Sequence, residues 1–329
     1  MTSEIKAPRS STGFSAPVMK PPRMAYILSA SHSGSTLLAM LLGVQSGAFT
    51  VGEIRAPSID DPNSYCCSCG EKIKECAFWL RVNEGMKCKG IENFEITRAG
   101  TSIFDVQEPY AYRLLCPLPR GPFLETIREA ALAFSPAWKR HLTNVQRRYF
   151  TLLQILQELA QASIIVDSSK AGLHLKYMMR IPGLDVKIIH LIRDGRAMAL
   201  SSLVSHGPKR PTRQGTLAAG AHEWVRSNKA AECLLNTAPK SQWIRVHYED
   251  LCRQPEATLL KLSQFLGMEC DNISLDFRSS RLHVLGNEMR LKQTSGIRLD
   301  ERWRTQLSAE DLQTLDRVLG KLNRKYGYS

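Results

Sequence analysis

The stretch that most limits how this chain can fold runs from residue 24 to residue 42. It reads Met24-Ala25-Tyr26-Ile27-Leu28-Ser29, then Ser31-His32-Ser33-Gly34-Ser35-Thr36, then Leu37-Leu38-Ala39-Met40-Leu41-Leu42. The first run is short and apolar throughout, which predicts a strand buried on both faces. The last is apolar up to Gly43, which predicts a buried helix. A loop of small hydroxyl residues between them gathers free backbone N–H groups at a helix start, where the helix dipole favours an anion. Gly34 permits a tight turn and the close approach of a phosphate. Ser33, Ser35 and Thr36 add hydroxyl donors. The competing local reading makes Ser35 or Thr36 a simple helix cap. The loop is not a Walker A sequence, because G-x-x-x-x-G-K-[ST] is absent and no Lys follows the glycine.

The same alternation continues along the chain. Short apolar or β-branched runs at 48–51, 163–167, 186–192 and 243–247 predict further strands. Helical patterns at 123–134, 138–162, 170–180, 195–205, 217–237, 250–266 and 309–326 separate or follow them. Strands alternating with helices predict an α/β fold, a P-loop-like open parallel sheet flanked by helices. Residues 60–90 read as a loop-like, Cys-rich insertion, and 112–121, rich in Pro and Leu, as irregular. Residues 1–23, rich in Ser, Pro, Lys and Thr, predict a disordered tail before a single domain at 24–329.

Composition narrows the partners. The 329 residues carry 44 Lys and Arg against 31 Asp and Glu, a formal charge of +13, which favours an anionic ligand. RNP-like aromatic motifs, zinc-finger His pairs and heptads are absent, which argues against nucleic acid. No run approaches the roughly 20 apolar residues of a membrane span, and the first residues lack the apolar core of a signal peptide. The expected location is the cytoplasm.

His190-Leu191-Ile192-Arg193-Asp194-Gly195-Arg196 closes one predicted strand and opens a helix. Ligands of open parallel sheets bind at the carboxyl ends of the strands, where Arg193 falls. Ser201, eight residues on, lies about two helical turns further along the same line. A guanidinium and a hydroxyl together suit a phosphate. A third segment, Arg245-Val246-His247-Tyr248-Glu249-Asp250-Leu251, precedes Pro255 and Phe265-Leu266-Gly267.

With these three motifs in order, the chain resembles the sulfotransferases that use 3′-phosphoadenosine-5′-phosphosulfate (PAPS), across about residues 24 to 326. It is similar to soluble bacterial members and to the tyrosylprotein branch, which shares Arg-Asp-Gly-Arg-Ala. The resemblance implies that Ser31 to Thr36 holds the 5′-phosphosulfate, that Arg193 and Ser201 hold the 3′-phosphate, and that Tyr248 contacts adenine. It implies Glu53, in a Gly-Glu context, as the base that takes the acceptor's proton. It implies a basic residue near Lys170 reaching the transferring sulfonate, and a late loop, 286–292, in which Arg290 touches a phosphate. His32 departs from the family, where Lys or Arg is common at this place; it is a donor to the phosphate when protonated and a base when neutral. Local readings compete: Glu53 paired with Arg55, Lys170 and Arg290 as solvated charges, Tyr248 as packing at a strand end. The implied reaction moves a sulfonate from PAPS to a hydroxyl or amine of a small-molecule, glycan or peptide acceptor, with no metal assigned. Lys209, Arg210 and Arg213 make one acceptor-side loop basic. Two other functions stay open: a P-loop-like phosphotransferase or nucleotide kinase, which should show a loop Lys and magnesium-binding acids, and a non-catalytic module for anionic glycans.

Five of the nine cysteines, Cys66, Cys67, Cys69, Cys76 and Cys88, fall together. Free thiols are the default in a reducing compartment, with a disulfide or a zinc site as competitors. A zinc site would take three ligands from the Cys-x-Cys and the Cys seven residues on, with Cys88 as the fourth, but the spacing is not that of paired C-x-x-C knuckles.

Overall fold

The computed structural model describes residues 21–55, 59, 61–115, 122–206, 212–278, 282–291 and 296–328. Residues 1–20 of the expected tail, Lys209, Arg210 and Lys292 lie outside these residues, and Arg23, the tail's expected last residue, opens the first strand. Five strands, β1 (Arg23–Ser29), β2 (Ala48–Gly52), β3 (Ile164–Lys170), β4 (Asp185–Ile192) and β5 (Trp243–His247), form one sheet in the order β2-β3-β1-β4-β5. Every neighbouring pair is parallel. The helices α1 (Ser35–Gly43), α2 (Ala77–Cys88), α3 (Pro109–Leu115), α4 (Pro122–Ala133), α5 (Pro136–Ala160) and α6 (Gly172–Met178) belong to the first half. Then come α7 (Gly195–His206), α8 (Arg213–Leu235), α9 (Tyr248–Arg253), α10 (Pro255–Leu266), α11 (Trp303–Gln306) and α12 (Ala309–Lys325). None of the described helices is long and apolar enough to cross a membrane.

The apolar runs become the middle of the sheet because both of its faces are covered. Alternate residues of β1 serve the two sides. Met24, Tyr26 and Leu28 join a core with Trp79 of α2, Tyr149 of α5 and Met178 of α6. Ala25 and Ile27 join a second with Leu37 to Leu42 of α1 and Leu259, Leu262 and Leu266 of α10. A third core packs α7, α8 and α12 around Trp224. α5 starts where Ser135 Oγ accepts the Trp138 N–H at 3.1 Å and Pro136 supplies a preset first-turn φ.

Three local expectations are corrected. The Cys-rich insertion is not loop throughout: α2 occupies its second half and buries Trp79, Val82 and Met86, one helical stripe. Residues 112–121 are not all irregular, because α3 reaches Leu115 and its first N–H groups, on Tyr110 and Ala111, bond the Glu108 carboxylate at 2.8 and 2.6 Å. The single helix expected over 250–266 is two, broken at Gln254, which the following Pro255 pushes to φ −138°.

Candidate active site

The order of strands sets the site. The chain leaves β1 toward one edge of the sheet and leaves β4 toward the other, so a crevice opens at their carboxyl ends. The loop after β1 turns there through two left-handed residues, His32 at φ 56° and Gly34 at φ 87°. Gly34 is the N-cap of α1, and no side chain caps the helix start. Ser35 and Thr36 are therefore not caps, and the first N–H groups of α1 face the crevice without a side-chain acceptor at the cap. A Cβ at Gly34 would stand 2.5 Å from Cδ2 of Tyr248, so space as well as conformation demands glycine. Ser33 is buried, and its hydroxyl has no hydrogen-bond partner among the described residues.

Arg193, just past β4, is 5% exposed and ties the crevice together. Its Nη1 donates to the His32 carbonyl at 2.8 Å and to Ser201 Oγ at 3.5 Å. Its Nη2 donates to Asp300, at 3.1 Å to the backbone carbonyl and 3.0 Å to Oδ2, and its Nε is buried with no partner among the described residues. The guanidinium lies over the Tyr248 ring at 4.5 Å. Arg193, Ser201, Tyr248 and the β1 loop thus meet as the sequence implied. Asp300 is a member the sequence reading missed. Hydrogen bonds from Arg302 and then from Arg193 hold its carboxyl well below the usual carboxylate range. The rest of Arg-Asp-Gly-Arg is structural. Asp194 accepts the Arg196 N–H at 2.9 Å and pairs with the Arg196 guanidinium at 2.7 Å, which itself covers Trp303 at 4.1 Å.

Glu53 and Lys170 sit at the carboxyl ends of β2 and β3. The two form an ion pair, with side chains 14% and 19% exposed. Lys170 is left-handed at φ 67° and pairs in register with Leu28 of β1, which places it one strand from the phosphate loop. Gly52, before Glu53, is at φ 82°, and a Cβ there would lie 2.3 Å from the Leu285 carbonyl. Gly286 closes on Glu53 so tightly that a Cβ on it would be 3.1 Å from Oε1. Behind the pair lies a second carboxylate that the sequence reading treated only as strand. Asp167 is fully buried and accepts the Ile54 N–H at 3.1 Å, the Ser169 N–H at 2.8 Å, the Ser169 hydroxyl at 2.5 Å and the Tyr149 hydroxyl. Burial pushes its acid upward against these donors. It holds the ends of β2 and β3 at the spacing Glu53 and Lys170 need.

Arg290 lies in the late loop, against the insertion. It is 5% exposed, and its Nε, Nη1 and Nη2 all donate to backbone carbonyls of Cys66 and Gly286. It also stacks over Tyr65 at 4.3 Å. These contacts make it a brace between the Cys-rich insertion and the late loop. The cysteine set weighed from sequence as a zinc site does not come together as a unit: Cys88 is exposed at the end of α2, while His283 lies against Cys67 and Cys76. A cleft of about 390 Å³ borders the site at Asp300, its wall mixing Asp194, Glu249, Asp250 and Glu301 with Arg196, Arg253 and Arg304.

A parallel sheet with a left-handed glycine turn after β1 and a buried guanidinium after β4 defines an α/β protein of the open-sheet kind. The chain belongs to the sulfotransferase family, whose sequence model matches residues 25–272. Two solved structures share its fold. The sulfotransferase domain of the Synechococcus PCC 7002 olefin synthase superposes with a TM-score of 0.51 at 20% identity, covering 95% of this chain and 98% of that one. The sulfotransferase domain from the curacin biosynthetic pathway gives 0.50 at 18% identity, covering 94% and 99%. No curated protein matches the sequence.

Proposed function

We propose that this protein moves a sulfonate group from PAPS to a hydroxyl or amine of an acceptor. One observation carries the reading: Arg193 bonds the carbonyl of the phosphate loop and the Ser201 hydroxyl together, at the junction of β1 and β4. The residues fit a doubly phosphorylated nucleotide. Ser33 Oγ and Arg193 Nε are buried polar atoms without partners, the first in the loop and the second beside Ser201. A PAPS molecule supplies the sulfonate on a phosphate leaving group.

The chain's own groups supply the rest. N–H groups and hydroxyls of Ser33 to Thr36 hold the 5′-phosphate and stabilise the charge that builds there. Arg193 and Ser201 hold the 3′-phosphate, in place of the Asp300 carboxylate that Arg193 now faces. Tyr248 stands beside them at the nucleotide end. Glu53 takes the proton of the acceptor as its oxygen or nitrogen attacks. Lys170 gives up its partner as that proton arrives and turns its charge to the sulfonate. His32, where the family often carries Lys or Arg, contributes its backbone carbonyl to Arg193.

Calorimetry without magnesium tests the reading. Tight binding of adenosine-3′,5′-bisphosphate is expected. Magnesium-dependent binding of ATP with none of the bisphosphate would overturn it in favour of a phosphotransferase. Binding of neither nucleotide, with binding of a sulfated glycan, would favour a non-catalytic module.

A further inference from the structure

The insertion that the sequence left unassigned folds around four ligand-type side chains. Residues 66–72 form a tight hairpin: Cys66 bridges Lys72, the Cys67 N–H bonds the Glu71 carbonyl at 2.9 Å, and the Gly70 N–H bonds the Cys67 carbonyl at 3.0 Å. This turn aims Cys67 and Cys69 to one side. Cys76, the N-cap of α2, comes from the other. The fourth group arrives from 207 residues away: His283 Nδ1 lies 3.3 Å from Cys76 Sγ and 3.6 Å from Cys67 Sγ. Cys69 Sγ lies 3.6 Å from Cys76 Sγ, and all four ligand atoms fall within 4.8 Å of one another.

We infer that Cys67, Cys69, Cys76 and His283 form a structural metal site for a soft tetrahedral ion, zinc above all. A tetrahedron with Zn–S near 2.3 Å and Zn–N near 2.0 Å requires S···S of about 3.8 Å and S···N of about 3.5 Å, close to the separations here. Three thiolates and one imidazole select zinc over magnesium or calcium, which take oxygen ligands. A disulfide fits less well. It would draw Cys69 and Cys76 together and strand Cys67 and His283 as a buried thiol and an imidazole with nothing to bind.

The surroundings are those of a held ligand. His283 stacks on Phe78 with ring centroids 4.4 Å apart and planes 2° from parallel. Ser68, between two of the cysteines, grips both neighbours of His283: its hydroxyl donates to the Leu282 carbonyl at 2.5 Å and accepts the Val284 N–H at 2.8 Å. Ligand orientation fixed by an outer layer of contacts is typical of metal sites.

The site has a consequence for the pocket. Two residues beyond His283, Leu285 bonds the Val51 carbonyl at 2.8 Å, and Gly286 presses on Glu53. An ion here staples the late loop to the insertion and so fixes the wall beside Glu53, a closure of a very long loop. It takes no part in the transfer, and the inference does not rest on the proposed reaction.

The full-length protein, purified without chelator, should carry about one zinc ion per chain by elemental mass spectrometry. Cobalt exchanged into the wild-type protein should show the thiolate-to-metal charge-transfer absorption of a tetrahedral site. Cys69→Ser and His283→Gln should lose most of the metal, while Cys66→Ser and Cys88→Ser keep it. Wild-type protein without metal after expression in zinc-supplemented medium overturns the inference, as does an intact mass short by two hydrogens. Loss of metal in Cys88→Ser but not in His283→Gln would overturn the ligand set. Because the wild-type readings need no variant to fold and no nucleotide to bind, they stand apart from any failure of the sulfotransfer assay.

Discussion

The two ends of the site are built differently. At the proposed nucleotide end the groups fall in two short local segments, a loop running from β1 into α1 and a guanidinium and hydroxyl eight residues apart at the start of α7, which Arg193 joins across 161 residues. At the Glu53 end, the parts come from across the chain. Lys170 is 117 residues from Glu53, Tyr65 meets Gly286 over 221, and Arg290 meets Cys66 over 224. Short local segments make the first end recognisable as motifs; at the second, single residues from distant parts of the chain meet, and no such pattern marks them. If the division is real, damage at one end should spare the other.

The largest expected effect is at Glu53. Glu53→Gln should lower turnover about 10²- to 10⁴-fold while leaving the bisphosphate affinity within about twofold. Steady-state rates beside calorimetry check this, and equal losses in both would erase the distinction between the ends. Arg193→Ala should cost about 2–5 kcal/mol of bisphosphate affinity, because it removes one partner of a buried, charge-assisted contact. Gly34→Ala should cost about 1–3 kcal/mol of stability, since it forces a side chain into a left-handed position and against the Tyr248 ring. Thermal melts with and without bisphosphate would show whether the loop alone is disturbed.

The smallest effect is one of pH. His174 packs edge-on against Tyr149, the Asp167 partner, and has no hydrogen bond on either nitrogen among the described residues. Burial, then the charge of Arg55, lowers its pKa to about 3. At the nucleotide end His190, bonded to Asn228, is lowered by burial and then by Arg245 to about 4. The unfolded chain titrates both near 6.5. Between these values the unfolded state binds protons that the folded state refuses, so stability is fully present above about pH 6.5 and falls as pH drops toward 4. His174→Phe should reduce that slope by up to about 1.4 kcal/mol per pH unit, read from urea midpoints at pH 7 and pH 5. An unchanged slope would place the acid sensitivity elsewhere.

Legibility in the sequence followed the same division. Apolar strands, the Gly34 turn and the Arg193–Ser201 spacing are local signals, and each became the element they implied. The α2 stripe was hidden because turn-forming residues and cysteines precede it. Nothing near His283 or Asp300 in the chain announces a partner, because contacts made across a hundred or more residues leave no periodic trace. Arg290 was named from its place in a family pattern, and its contacts with the carbonyls of Cys66 and Gly286 across the fold carried no signal in the sequence.

The unbroken parallel sheet has one more implication. Glu53 follows β2, Lys170 ends β3, the Ser/Gly loop follows β1, Arg193 follows β4 and Tyr248 follows β5, so each strand contributes one station in spatial order. Hydrogen-bonded strands repeat every 4.8 Å or so, which sets roughly 19 Å from the first station to the last. The backbone ladder is thus a ruler. On the proposed reaction, acceptors of different shape present their nucleophile at the β2 mark, and variation in what is accepted comes from the walls beside that mark rather than from its distance to the nucleotide.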